Sequence, residues 1–287
     1  MSDDAGSLGN IYPPSPSMSS RGYRAWLEDG YRLFRKAPWL WLGGTAILLV
    51  ISMVLRTASK FGLAFLHVAM SEMFVEENRT RSILLLLLTR VLVEGVIVLG
   101  IMALCYGVAS RLARHGTASW GDFFSLAVPG YTQRTEWRIA GLALWTGLLN
   151  ALPLATLVAI ASITDSIDRL LDAVPSFLSH PVVLIGGVVL LVLLAVRGIL
   201  ALLMAQAFAL QLVLFGGCRP VQALRLSLRG CRGNIWDMVW FVLAILIFSV
   251  IVALPTLGLG VLLLWPIMVC SWYCAYQDIY RQNGYQT

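Results

Sequence analysis

Charged residues are scarce in this sequence. Asp, Glu, Lys and Arg make up 13% of its 287 residues, against roughly 25% in soluble globular domains. Hydrophobic residues make up 59%, and the mean hydropathy is +0.80. These figures exclude a soluble domain, a disordered chain, a collagen-like chain and a disulfide-rich scaffold. Because only a bilayer accepts so much apolar surface, the composition predicts a polytopic membrane protein.

Residues typical of catalytic and metal sites are also few. The three histidines are scattered, and the five cysteines form no CxxC pair. No hydrolase, kinase or metalloprotease signature occurs. We therefore predict that the protein is not an enzyme and has no metal, no cofactor and no nucleic-acid partner. The residues concerned are His67, His115, His180, Cys105, Cys218, Cys231, Cys270 and Cys274.

Six segments are apolar enough to cross a bilayer, which takes about twenty residues. They lack the alternation of a strand barrel, so the predicted fold is an all-α bundle of about six transmembrane helices. The spans are 39–55, 83–106, 139–163, 181–214, 235–254 and 257–276. Residues 1–20, rich in Ser, Pro and Gly, are predicted to be a disordered tail without the pattern of a signal peptide. Residues 39–287 form the predicted transmembrane domain.

The basic residues predict the orientation. Fourteen Arg and Lys residues lie on one side of the predicted topology: before span one, between spans two and three, between spans four and five, and after span six. Five lie in the connections on the other side. Both termini are then cytoplasmic by the positive-inside rule. Arginine supplies 19 of the 21 basic residues, which hints at a GC-rich, bacterial genome and hence at a bacterial inner membrane. Eight tryptophans fall on the same side and predict an aromatic belt. They are Trp26, Trp39, Trp41, Trp120, Trp137, Trp236, Trp240 and Trp272.

The apolar stretch 61–74 is the exception to this topology. Its length, about fourteen residues, favours a segment that lies in the membrane interface over one that crosses. A crossing here would invert every later span.

Amphipathic helices are predicted before two of the spans. In 21–38, aromatic and apolar residues share one side of a helical wheel, and basic residues share the other. A soluble helix that packs on a partner remains an alternative. A weaker copy precedes span five at 219–234, and Ser119 to Asp122 resembles a capping box before span three. The basic residues predicted to face anionic lipid are Arg24, Arg32, Arg35, Lys36, Arg225, Arg229 and Arg232.

Three stretches carry a resemblance to a known family. DGYRLFRKAPWLWLG, RPVQALRLSLRGCRGN and LPTLGLGVLLLWPIMVCSWYCAYQDIY resemble the bacterial YciC-like integral membrane proteins. That group is similar to the membrane domain fused to some glycerophosphodiester phosphodiesterases. The resemblance implies a six-helix inner-membrane bundle and no established activity. No counterpart of the phosphodiesterase catalytic domain is recognisable here, so hydrolysis is not implied.

Three charged residues fall within predicted spans, where charge is costly and often functional. Arg90 and Glu94 are four residues apart on span two and can pair on one helix face. Arg197 lies near the middle of span four and could reach Glu94. Either these residues form a polar site for an anionic or zwitterionic ligand, or they form an ion pair that fixes helix packing. Gln206 and Gln211 are predicted to join helices by hydrogen bonds.

Two classes of function follow. The first is a non-enzymatic inner-membrane protein that acts as a scaffold or accessory subunit or that organises anionic lipid with its basic face. The second is a transporter or channel for a small or lipid-like solute, which would use Arg90, Glu94 and Arg197. The predicted partner is the lipid bilayer, with its anionic headgroups, and a protein partner or a homo-oligomer stays open.

Overall fold

The computed structural model describes residues 21–73, 79–124, 135–151 and 181–281. The predicted tail 1–20 and the second half of the predicted third span lie outside these ranges. The described residues form ten helices and no strand. The helices are α1 (Tyr23–Arg35), α2 (Pro38–Met73), α3 (Arg79–His115), α4 (Trp120–Phe124), α5 (135–151), α6 (Pro181–Ala207), α7 (Ala209–Leu214), α8 (Pro220–Gly233), α9 (Ile235–Ala253) and α10 (Val261–Arg281).

Four helical segments in the described ranges are long and apolar enough to cross a membrane. They are Pro38–Phe65, Thr89–His115, Val192–Leu214 and Ile235–Ala253. These correspond to predicted spans one, two, four and five. The fold is therefore all-helical and compatible with a multi-pass membrane protein, whereas the predicted number of six spans is not confirmed.

The segment 61–74 is not separated from the first span by a break in the helix. Helix α2 continues from Pro38 to Met73, and its part that is apolar enough to cross a membrane ends at Phe65, ten residues beyond the predicted span. Arg56 and Lys60 are exposed on the helix surface and do not interrupt its backbone. An interfacial position for the rest of 61–74 stays a prediction. Helix α3 likewise begins at Arg79, four residues before the predicted second span.

The fourth predicted span, by contrast, is broken at Phe208, between α6 and α7. The hydroxyl of Ser227 in α8 accepts a hydrogen bond from the backbone N–H of Phe208 at 3.0 Å and donates one to the carbonyl of Met204 at 2.7 Å. These are the two groups that an unbroken helix would join directly. The inserted hydroxyl therefore explains the break and fixes α8 against it.

The packed core lies at one end of the bundle. It combines α1, α4, α7 and α8 with the first turns of α2 and α9, the last turns of α3 and the C-terminal half of α10. The remaining lengths of the long helices expose apolar side chains, such as Val54 and Phe65 in α2 and Leu194 in α6. The molecule thus has a compact end, which we call the packed end, and an apolar end of sparsely packed helices.

Both basic helices contact the C-terminal half of α10: α1 packs along it, whereas α8 packs mainly on α6 and α7 and meets α10 through side chains. A Cβ atom on Gly30 of α1 would lie 2.6 Å from the backbone of Ser271, and one on Gly230 of α8 would lie 2.2 Å from the Tyr280 hydroxyl. Ser271 and Tyr280 are nine residues apart, which places them about 180° apart around the helix. Tyr280 therefore reaches α8 from the side of α10 opposite to the one on which α1 packs.

Candidate functional site

The seven basic residues predicted to face anionic lipid are all exposed at the packed end. Four project from α1 and its C-cap and three from α8, while the opposite faces of these helices are buried. We call this set the basic face: Arg24, Arg32, Arg35, Lys36, Arg225, Arg229 and Arg232. The two groups are about 190 residues apart in the sequence, and both helices belong to the same core.

A buried carboxylate positions α1. Asp278 of α10 accepts hydrogen bonds from the indole N–H of Trp26 at 2.8 Å and from the backbone N–H of Arg21 at 2.8 Å. The guanidinium of Arg21 bridges Asp278 and Asp29, and these carboxylates raise the Arg21 pKa. Because Trp26 is fully buried, this bond also determines which face of α1 points away from the core.

A buried tyrosine positions α8. The Tyr280 hydroxyl donates a hydrogen bond to the carbonyl of Leu226 at 3.1 Å, and burial raises the pKa of Tyr280. Pro220 begins α8, a position where its missing N–H costs nothing. Ala223, Ser227 and Gly230 are buried on the same side, so the arginines of α8 point outward.

Most charges of the basic face are not neutralised by neighbouring carboxylates. Arg32 pairs with Glu28 at 2.6 Å and approaches Asp29 at 3.9 Å. The other six have no ion pair with any carboxylate in the ranges that the structure describes. Arg24 and Arg35 lie over the rings of Tyr23 and Tyr31 instead. The positive charge is therefore available to an external anion.

The predicted aromatic belt is present only in part. Trp39, Trp137 and Trp236 are 75–81% exposed, and Trp120 and Trp240 are about half exposed. Trp26 and Trp41 are fully buried, so assigning these two to the belt is wrong. Trp272 is half-buried and packs against Phe208 and Phe241. Position near a helix end does not distinguish an indole that faces outward from one that faces the core.

The charged residues within the predicted spans are only partly brought together. Arg90 and Glu94 form the predicted i, i+4 pair at 3.2 Å, with both side chains partly exposed. Arg197 is exposed on α6, and no carboxylate of the described part of the chain lies within ion-pair distance of it. Helix α5 separates α3 from α6, because Gly147 packs on Leu92 while Asn150 contacts Gln206.

The two glutamines behave differently. Gln206 donates a hydrogen bond to Asn150 at 3.0 Å, which confirms a role in joining helices. Gln211 is fully buried, and neither its amide nitrogen nor its oxygen has a partner within the described residues.

The structure contains a cleft between α3 and α4 that the sequence did not predict. Gly116, with a φ of 73°, ends α3 and donates its backbone N–H to the Leu112 carbonyl at 3.1 Å. Asp122 in α4 accepts a bond from the N–H of Ser119 at 2.8 Å, as in a capping box, and also pairs with Arg111. The resulting cleft has a volume of about 420 Å³. It is lined by Arg111, His115, Thr117, Ala118, Ser119 and Asp122.

Four of the five cysteines are buried thiols, and Cys274 is half-buried. Burial raises the pKa of Cys231 to about 12 and that of Cys218 to about 11, the latter partly opposed by Arg138. No group of three or more candidate metal ligands occurs in the described ranges. His180 and the side chain of His67 lie outside the described part, and His115 lines the cleft.

Comparison with known proteins gives no relative: no protein-family profile, no curated protein and no solved structure matches this chain.

Proposed function

We propose that this protein is a non-enzymatic, multi-pass membrane protein whose basic face binds anionic lipid headgroups, in a scaffold or accessory role. The observation that carries the proposal is the joint exposure of seven basic side chains on α1 and α8 at one end of the bundle. A Lys or Arg near an anionic membrane surface contributes about 1 kcal/mol to the free energy of binding. Six of the seven basic residues form no ion pair within the described residues. Several such contacts together would enrich anionic lipid around the protein.

The exposed indoles support the same placement. Trp39 and Trp236 lie in the first turns of α2 and α9, directly after the two basic helices. Indole rings favour the headgroup level of a bilayer, where their N–H meets water and their ring meets lipid. Basic residues and indoles together are what a protein surface at an anionic leaflet requires.

We further propose that this leaflet is the cytoplasmic one of a bacterial inner membrane. The excess of Arg and Lys on the side of both termini supports this orientation. The resemblance to the YciC-like membrane proteins supports the same assignment, because those proteins belong to the bacterial inner membrane.

Lipid selectivity tests the proposal. The protein is reconstituted in phosphatidylcholine vesicles, and its association with spin-labelled phosphatidylglycerol is compared with that of spin-labelled phosphatidylcholine. The double variant Arg225→Gln, Arg229→Gln should lower the preference for phosphatidylglycerol, and neutralising all seven residues should lower it further. Arg56→Gln with Lys60→Gln is the matched control, since it removes two exposed charges from α2 away from the packed end and should have the smaller effect. Equal effects of the two double variants would refute the basic face as the binding surface.

A transporter or channel is the second candidate, favoured by the Arg90–Glu94 pair within an apolar helix. Solute flux in proteoliposomes distinguishes it. Glu94→Lys and Arg197→Leu should abolish flux in a transporter without lowering the yield of folded protein. A lipid-binding scaffold has no such flux to lose.

A further inference from the structure

We infer that the cleft between α3 and α4 is a binding site for a phosphate group, with a glycerophospholipid as its source. The inference rests on the proposed function, because it assigns one defined headgroup site beside the more diffuse basic face.

The position of the cleft matches the level of the exposed indoles. A Cβ atom on Gly43 would lie 2.4 Å from the Trp120 ring, so α4 packs on the second turn of α2. Trp39 lies one turn earlier on the same face of α2 and is 81% exposed. The cleft therefore opens next to two outward-facing indoles, at the depth where phospholipid phosphates lie if these rings mark the headgroup level.

The donors in the cleft suit a phosphate. One guanidinium nitrogen of Arg111, Nη1, donates a hydrogen bond to Asp122. The other guanidinium N–H groups have no hydrogen-bond partner in the described part of the chain. The side chains of His115, one turn after Arg111 on α3, and Thr117 also line the cleft and are exposed. A planar guanidinium with free N–H groups, an imidazole and a hydroxyl are typical phosphate ligands. The volume of about 420 Å³ accommodates a headgroup.

The carboxylate of Asp122 fixes the position of Arg111. Because both of its oxygens accept hydrogen bonds, it is not a free negative charge that repels the ligand. One carboxylate oxygen accepts from Arg111, and the other accepts from the N–H of Ser119 at 2.8 Å and its hydroxyl at 2.9 Å. This carboxylate also neutralises part of the charge of Arg111. We therefore expect binding that depends on His115 as well as on Arg111, with modest affinity.

The test counts retained lipid by native mass spectrometry. The full chain is purified from phosphatidylcholine nanodiscs that contain a minor fraction of phosphatidylglycerol. The wild type should retain one phosphatidylglycerol more than His115→Glu, which places a negative charge in the cleft, and more than Thr117→Trp, which fills it. Arg114→Glu is the matched control: it is exposed on the same turn of α3 but does not line the cleft, so its retained lipid should equal that of the wild type.

Two further arms separate the alternatives. If soluble glycerol phosphate binds in the cleft in detergent and phosphatidylglycerol is not retained, the site takes a soluble phosphate. The proposal that the phosphate belongs to a phospholipid would then be wrong. Equal retention in the wild type and both cleft variants would overturn the site itself. The variant in which the basic face is neutralised should still retain the one phosphatidylglycerol in the cleft, although its overall preference for phosphatidylglycerol falls. The two proposals can therefore fail independently of each other.

Discussion

Asp278 illustrates how single residues determine the basic face. Its carboxylate is almost fully buried and joins the last turns of α10 to the beginning of α1, 257 residues earlier. The amphipathic pattern of α1 predicts which of its faces is apolar, and the burial of Trp26, Gly30 and Phe34 agrees. The partner of that face was not predictable, because nothing near Trp26 in the sequence indicates an acceptor on another helix.

The first prediction concerns this carboxylate. Asp278→Ala should lower the free energy of unfolding by about 1.5–3 kcal/mol, since a buried indole N–H loses a charged acceptor. The measurement is reversible denaturation in detergent, followed by tryptophan fluorescence. Glu28→Ala is the control, because Glu28 and Arg32 are both more than 60% exposed and their pair contributes at most about 0.5 kcal/mol. Equal losses in the two variants would argue against Asp278 as the anchor of α1.

The second prediction concerns thiol reactivity. Only a thiolate reacts with maleimides, and the raised pKa of Cys218 and Cys231 keeps both protonated at neutral pH. In the folded protein they should react at least about a hundredfold more slowly than a thiol introduced by Arg225→Cys on the exposed face of α8. Mass spectrometry of time-resolved labelling measures these rates. Comparable rates would mean that α8 is not packed as described.

At the scale of elements, hydropathy predicts where long helices occur but not where they end or break. Span one was expected to end at residue 55, yet its apolar segment continues to Phe65 and helix α2 to Met73. The break at Phe208 depends on the hydroxyl of Ser227 in another helix, which no local pattern contains. The cleft escaped prediction for a similar reason, since only the turn at Gly116 brings Arg111 to Asp122.

The third prediction tests the docking of α1 on α10. Gly30→Ala places a methyl group 2.6 Å from backbone atoms of Ser271, so the helices must separate, at a cost of about 1–3 kcal/mol. Gly233→Ala, whose methyl group would meet nothing within 4 Å, should change stability by less than about 0.5 kcal/mol. Unfolding in detergent compares the two. If Gly30→Ala were as stable as Gly233→Ala, close contact between α1 and α10 would be excluded.

At the scale of the whole molecule, composition predicts the helical class and the pattern of basic residues predicts one positive end. The structure adds that α1 packs along α10, whereas α8 packs on α6 and α7 and reaches α10 through the Tyr280 hydroxyl. Two basic helices, each followed by an apolar helix, thus belong to one core. The proposed lipid binding requires that their exposed basic residues face the same side of the membrane.

The most direct test asks whether the two basic helices face the same side of the membrane. Single cysteines are introduced by Arg24→Cys in α1, Arg229→Cys in α8 and Lys60→Cys in α2, in a background without native cysteines. A membrane-impermeant maleimide is then applied to inside-out and right-side-out vesicles. We expect positions 24 and 229 to be labelled from the cytoplasmic side and position 60 from the other side. Labelling of 24 and 229 from opposite sides would contradict a single basic face and the lipid-binding function built on it.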